Sequence, residues 1–318
     1  MKIFFIKIFI GFGIFYWLIT SGKLDFSLVL KSFEAPMFFF LAAFFIIIQF
    51  TLSSYRLGFL LKCKSTSFKL NRLISIQWIA QLFSTVLPGG FTSDLIKIGY
   101  IHELDNKLSK TYILFAVIFD RIIGLSSLLF ISGVTGLCFF NELVSLNPMI
   151  EKIIYINIFL FFSSIIGICF IFIKEGYHNT ILKLIPGKRL KDLITEIWTL
   201  RNQKKILLLS YIMSIISHFL GILSFWTVNH QFFQGPLPFK YLTTLIPLGL
   251  LTTAIPISPG GIGVGHAAFA TLFNFIHHTN GASLFNVFWI LIMLVSCLGI
   301  FPYLLRKKQK DTSETSTL

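Results

Sequence analysis

Charge is scarce in this chain. Asp, Glu, Lys and Arg together make up 13% of 318 residues, and only 13 are acidic against 27 basic, too few to clothe a water-soluble core of this length. Cysteine is scarcer still. Cys63, Cys138, Cys169 and Cys297 stand far apart, with neither the C-x-x-C spacing of a zinc site nor the close pairing of a disulfide framework, and they read as buried thiols. The sequence also lacks a metal-ligand cluster, a nucleophile elbow and a phosphate-binding glycine loop, so no cofactor and no soluble catalytic domain are expected. What is abundant is apolar. Hydrophobic residues reach 55%, phenylalanine alone counts 38, and the mean hydropathy is +0.82, which together define an all-α polytopic membrane protein. The net charge of +14 does not point to nucleic acid, because the basic residues lie in loops between apolar runs without interleaved stacking aromatics; the phenylalanines read as lipid-facing bulk.

The apolar runs set a topology. Residues 3–20 form a first span with Lys2 and Lys7 at its start and no small-residue cleavage site after it, so it reads as an uncleaved span. Residues 37–55 form a second, followed by a basic loop with Arg56, Lys62, Lys64, Lys69 and Arg72 that belongs in the cytoplasm. Residues 111–140, 153–173, 206–229 and 283–305 supply four more spans, about six in all. The stretch 174–205 is a basic cytoplasmic loop, and residues 306–318 form a basic, then polar tail that reads as disordered. Both termini fall in the cytoplasm, and an inner cell membrane is the expected location. The whole of 1–305 forms one transmembrane domain, with halves at about 1–140 and 150–305.

Two stretches interrupt this pattern. Leu87-Pro88-Gly89-Gly90 and Ser258-Pro259-Gly260-Gly261 each break an apolar helical run, since proline lacks an amide donor and glycine takes turn conformations freely. The flanking segments, 73–88 with 91–101 and 241–256 with 262–276, are near or below the ~17–20 residues of a full span. Counting the first pair as a single crossing would turn the loop at 174–205 outward, against the positive-inside rule. Two re-entrant hairpins entering from opposite faces restore the parity and give an inverted repeat, with a shared midplane site and alternating access as the expected mechanism. The competing interpretation is that both breaks are dry plugs, or ordinary loops between short spans.

Polar residues beside the breaks favour a site. Asp94 and Lys97 follow the first break at i,i+3 spacing and are placed to pair. Asp120 and Arg121 sit about nine residues, or ~14 Å, into a span, where exposure of either charge to lipid costs about 2.5–3.5 kcal/mol. Adjacent residues cannot share one helical face, so each needs its own partner: Asp94 or Arg56 for one, a lipid phosphate for the other, with the Arg121 guanidinium suited to phosphate oxygens. His266 follows Gly263 and Gly265 at the start of the second half-helix, where it either meets a headgroup or a proton, or simply holds the hairpin. Gly263, Ala267 and Ala270 form a small-residue packing stripe, while Gln77 and Gln81 either join helices or line the cavity, with the first preferred.

The three motifs Leu87-Pro88-Gly89-Gly90 with Asp94 and Lys97, Phe119-Asp120-Arg121-Ile122-Ile123-Gly124, and Ile257-Ser258-Pro259-Gly260-Gly261-Ile262-Gly263-Val264 occur in an order that resembles the transmembrane region of lysylphosphatidylglycerol synthetases, a flippase-like integral membrane family, over about residues 5–305. The resemblance implies two re-entrant helices and translocation of a lipid, an aminoacylated phosphatidylglycerol in the best understood members. Members commonly carry Gly-Gly-Asp-x-x-Arg where Thr92-Ser93-Asp94-Leu95-Ile96-Lys97 stands, which passes the basic role to Lys97. They commonly carry Arg-Glu where Gly265-His266 stands, which marks a departure in headgroup chemistry. Full-length synthetases append a cytosolic aminoacyl-transfer domain, and nothing after Leu305 has the length for one, so no enzyme activity is expected. The expected function is translocation of an anionic or phosphate-bearing lipid, with Pro88, Gly89, Gly90, Asp94, Lys97, Asp120, Arg121, Pro259, Gly260, Gly261, Gly263 and His266 as the substrate-binding set. A lipid-modifying enzyme using Asp120 or Asp94 as a base, and a non-catalytic subunit of an envelope lipid or glycan pathway, stand as alternatives.

Overall fold

The computed structural model describes residues 16, 20, 34–64, 69–86, 92–169, 172, 182, 187–230, 237–254 and 261–306. Every regular element among them is helical. Five helices are long and apolar enough to cross a membrane: α1 (Pro36–Lys62), α4 (Lys110–Cys138), α6 (Met149–Cys169), α8 (Lys204–Asn229) and α11 (Gly281–Arg306, with a tightened turn at Cys297–Gly299). These match five of the six expected spans. The first expected span lies outside the described residues except for Tyr16 and Thr20, as do most of the 174–186 loop, the tail after Arg306 and both Pro-Gly-Gly breaks, including Pro88, Gly89, Gly90, Pro259 and Gly260.

Shorter helices flank those breaks. α2 (Leu70–Val86) and α3 (Thr92–Leu104) bracket the first, and α9 (Phe239–Thr253) and α10 (Val264–Asn274) the second. At 13 and 11 residues, α3 and α10 rise only about 20 and 16 Å, well short of a ~30 Å hydrocarbon core. The small helix α5 (Phe140–Leu146) follows α4, and the amphipathic α7 (Lys188–Trp198) precedes α8. Ser109 starts α4 by accepting the Tyr112 amide at 3.1 Å, and Asp105 takes the Lys107 amide at 3.0 Å, so a tight capped turn joins α3 to α4.

Where the ends meet is informative. The Tyr112 hydroxyl, at the start of α4, donates to the Leu60 carbonyl near the end of α1 at 2.7 Å, so the end of α3 and the start of α2 lie at one end of the bundle. Arg306 joins that end through Glu103 at 2.7 Å, and Lys64 pairs there with Glu196 of α7. At the opposite end Lys240, entering α9, lies 2.6 Å from Glu142 of α5, and the Tyr241 hydroxyl donates to the same carboxylate at 2.9 Å. In between, α1 runs along α8 as the central pair. α4 packs on α9 and α11 on α2, while α3 lies against α4 and α10 against α11. Ser132 of α4 donates to the Thr244 carbonyl of α9 at 2.8 Å, beside Pro247, where α9 lacks an amide donor. One apolar core gathers Phe225, Phe269, Phe273, Phe285 and Phe288 around α8–α11, and a second packs Tyr112, Phe115 and Phe119 against Leu57, Leu60 and Leu61.

Three expectations need correction. Arg56 is not a loop residue: Leu57, Leu60 and Leu61 continue the apolar face beyond it, so α1 runs on to Lys62 and buries Arg56. Cys138, Cys169 and Cys297 are exposed on the outward surface and only Cys63 is partly covered, because the apolar exterior of a lipid-facing helix accommodates a thiol as readily as a core does. Phenylalanine is not only lipid-facing bulk, since Phe40, Phe159 and Phe301 are exposed but Phe225, Phe269 and Phe273 are fully buried.

Candidate functional site

The segment Ile118-Phe119-Asp120-Arg121 lies in the first half of α4, and its two charged side chains diverge because successive residues on a helix point about 100° apart. Asp120 turns to α1, where Arg56 grips it with both prongs, Nε to Oδ1 at 2.6 Å and Nη2 to Oδ2 at 2.8 Å. Both side chains are 8% exposed. The remaining guanidinium nitrogen, Nη1, donates to Ser214 Oγ of α8 at 2.6 Å, and Ser214 in turn donates to Ser127 Oγ of α4 at 2.6 Å, Ser127 giving its own proton to the Gly124 carbonyl. The pair is therefore held by three helices. A forked, fully hydrogen-bonded arrangement of this kind is the geometry in which a buried ion pair recovers its desolvation cost.

Arg121 turns to α3 instead, with Nε 2.5 Å from Asp94 Oδ2. This pair is more open, the Arg121 side chain being 32% exposed. Lys97, one turn along α3 from Asp94, lies within electrostatic reach of Asp94, Asp120, Arg56 and Arg121 without a direct ion pair to either carboxylate. The expected Asp94–Lys97 pair is therefore corrected to Asp94–Arg121. The more favourable partner is the guanidinium, which offers several donors where lysine offers a point charge. Both members of the adjacent Asp120–Arg121 pair find partners within the protein. Three basic side chains, Arg56, Arg121 and Lys97, stand with two carboxylates, Asp94 and Asp120, at this point of the bundle.

The second break is organised without charge. Gly261 and Gly263 have φ of +76° and +83°, a region closed to most side chains, and a Cβ on Gly261 would lie 2.8 Å from the Thr253 Cβ, so this turn requires glycine. Gly263 caps α10, and its amide donates to His266 Nδ1 at 3.3 Å. With Nδ1 accepting, Nε2 carries the proton and donates to Asn286 Oδ1 of α11, also at 3.3 Å. His266 is thus a buried lock on the turn, which favours the structural alternative for this residue. The two half-helices are treated alike: Asp94 at the start of α3 is tied to the following span, α4, and His266 at the start of α10 to the following span, α11.

Other polar groups escaped sequence reasoning. Ser210, Ser214, Ser217 and Ser224 are all buried on α8 at helical spacing, a signal legible as a polar stripe in an apolar run. His218, on the same helix, places Nε2 beside Gly124 and the Arg56 guanidinium, with no hydrogen-bond partner for that nitrogen among the described residues. Gln77 has a buried carbonyl oxygen without a partner among the described residues, and Gln81 lines a cavity, the reverse of the expected preference for interhelical bonding.

Five helices long and apolar enough to cross a membrane, with a charged cluster held among α1, α3, α4 and α8, define a polytopic membrane protein. The family model described as lysylphosphatidylglycerol synthase TM region matches residues 4–301, and the chain belongs to that family. No curated protein and no solved structure matches it.

Proposed function

We propose that this protein is a lipid translocase, which moves a phosphate-bearing lipid between leaflets by alternating access and performs no covalent chemistry on it. One observation carries the reading: the Arg56, Asp120, Arg121, Asp94 and Lys97 cluster gathers more basic than acidic side chains inside an apolar bundle, with Lys97 near both carboxylates but in direct contact with neither. A monoanionic phosphate diester entering the cluster favours the charged form of Lys97 and meets the solvent-accessible side of Arg121, while the Arg56–Asp120 pair ties α4 to α1. Family membership supports a membrane lipid as the cargo.

Packing supports two re-entrant hairpins and an inverted repeat. α2 and α3 leave and return at the same end of the bundle and are short for full crossings, and α9 and α10 do so from the other end. The neighbour pattern maps onto itself when α1, α2, α3 and α4 are exchanged with α8, α9, α10 and α11. On this reading the Lys64, Glu103 and Arg306 end is cytoplasmic, as are both termini, and the cell membrane is the site of action.

Exchange of a fluorescent anionic phospholipid between leaflets of proteoliposomes is the test. Intact protein accelerates exchange, and Lys97→Met and Arg121→Ala slow it at least tenfold while the lipid species stay unchanged. Exchange at the intact rate in both folded variants overturns the role of the cluster. No exchange by intact, folded protein points to the partner-subunit alternative, and the appearance of a new lipid species to an enzyme.

A further inference from the structure

The basic stretch before α8 contains a helix of its own. α7 (Lys188–Trp198) has 11 residues and rises about 16 Å, too short to cross a ~30 Å hydrocarbon core. Leu190, Leu193, Ile194 and Ile197 recur in its sequence at i, i+3, i+4 and i+7, the spacing of one apolar stripe, with charged residues at positions between them. Helices with a sharp apolar stripe and low overall hydropathy lie in the plane of a membrane interface rather than through it. The placement of α7 agrees. Only residues 199–203 separate it from Lys204, where the spanning helix α8 begins, and the Lys64–Glu196 pair ties it to the end of α1. α7 is thus held at the level where these spans leave the hydrocarbon core. It rests on α4, yet Ile194 is only half-buried by the protein, and Lys188, Asp192 and Thr195 are exposed.

The charge around this helix is one-sided. From 188 to 205, Lys188, Arg189, Lys191, Arg201, Lys204 and Lys205 stand against Asp192 and Glu196, and Glu196 is engaged by Lys64. Among the described residues, the opposite end of the bundle carries Glu34, Glu142 and Glu151 against Lys152 and Lys240, so the excess of basic residues belongs to the α7 end. Aromatic rings accompany it. The Arg201 guanidinium lies over the Trp198 ring, 3.8 Å from its centroid, and the Lys204 ammonium stands 5.8 Å from the Phe172 ring. An indole favours the headgroup layer of a bilayer, and a guanidinium stacked on it keeps its donors for phosphate oxygens. An acidic protein surface or a nucleic acid answers the charge and leaves the apolar stripe without a use. An anionic lipid leaflet answers both.

We infer that α7 and the start of α8 form a docking surface for an anionic lipid leaflet, with α7 lying in the headgroup layer and its basic residues gathering negatively charged lipid around the rim of α4 and α8. This goes beyond the translocase reading and does not depend on it, since the docking stands whether or not a lipid is moved. Amide hydrogen exchange of the full chain is measured in bilayers of phosphatidylcholine alone and of phosphatidylcholine mixed equally with phosphatidylglycerol. The α7 amides exchange roughly tenfold or more slowly in the mixed bilayer, and raised salt removes most of the difference. Lys188→Gln/Lys191→Gln/Lys205→Gln removes it as well and leaves exchange in the middle of α4 and α8 unchanged. Equal exchange in the two bilayers, or slowing that survives the triple substitution, overturns the docking. So does exchange in detergent micelles as slow as in the mixed bilayer, which means that α7 is sealed against the bundle itself. Protection that rises with the protein-to-lipid ratio at fixed lipid composition also overturns it, because a second copy then covers the helix.

Discussion

Arg56 and Asp120 show how a charged residue survives in an apolar bundle. Each is expensive alone, and together they satisfy one another's directional bonding, with Ser214 taking the last donor. Removing one partner strands the other in a buried site, for which a loss of about 3–5 kcal/mol is typical. Asp120→Asn is accordingly expected to destabilise the protein by about that amount, read by reversible unfolding in mixed micelles, and Arg56→Met/Asp120→Leu to cost less than Asp120→Asn alone. Asp94→Asn loses less, because the Arg121 side chain, 32% exposed, keeps access to other partners. At the surface Glu142 behaves differently. Hydrogen bonds from Lys240 and Tyr241 hold its carboxyl below the ordinary glutamate range. A carboxyl with a lowered folded-state pKa stabilises the fold above its unfolded value, and that contribution fades as pH falls through the lowered one. Carbon-13 NMR of labelled glutamate is expected to give Glu142 a midpoint below that of free glutamate, and Lys240→Met to raise it.

The interrupted helix pairs are the elements on which the proposed function turns. Their existence is legible in sequence, because proline and glycine interrupt otherwise apolar runs at Leu87-Pro88-Gly89-Gly90 and Ser258-Pro259-Gly260-Gly261. Their partners are legible only in part: Asp94 and Arg56 are candidates for the Asp120–Arg121 pair from sequence, but that both are engaged, leaving no member of the pair for a lipid phosphate alone, depends on which spans lie alongside. Asp94 and Lys97 satisfy the helical spacing for a salt bridge, yet Asp94 binds an arginine 27 positions along the chain, in the next span. Arg56 reads as a loop residue because a charge conventionally ends an apolar window, although Leu57, Leu60 and Leu61 after it carry the periodicity on to Lys62. The proposed re-entrant geometry makes a prediction at this scale. In a chain whose native cysteines are replaced by alanine, Ser93→Cys near the first tip is expected to resist a membrane-impermeant maleimide added outside, and Ala254→Cys near the second to resist it from the cytoplasmic side. Ready labelling in those directions would mean ordinary loops between short spans.

At the scale of the whole molecule the sequence announces its class and most of its span order, since hydropathy alone locates four of the five long helices to within four residues at each end and the start of the fifth, α1, which runs seven residues past its expected end. The packing is less accessible to it. That α1 lies along α8, or that α4 meets α9 and α11 meets α2, follows from side-chain fit between helices far apart in the chain. Among the described residues, three ion pairs sit at the two ends of this bundle. Glu142 with Lys240 joins the first half of the chain to the second at one end, and Glu103 with Arg306, seconded by Lys64 with Glu196, does so at the other. All are closed together here. If the halves rock about the central α1 and α8 pair, these contacts act as opposed clasps, and opening toward one compartment parts the clasp on that side while its counterpart holds. Ionic strength then acts unequally: salt added to one compartment weakens the solvent-exposed pairs it bathes and leaves those at the other end as they were, so the composition of the bathing solution biases which way the protein faces.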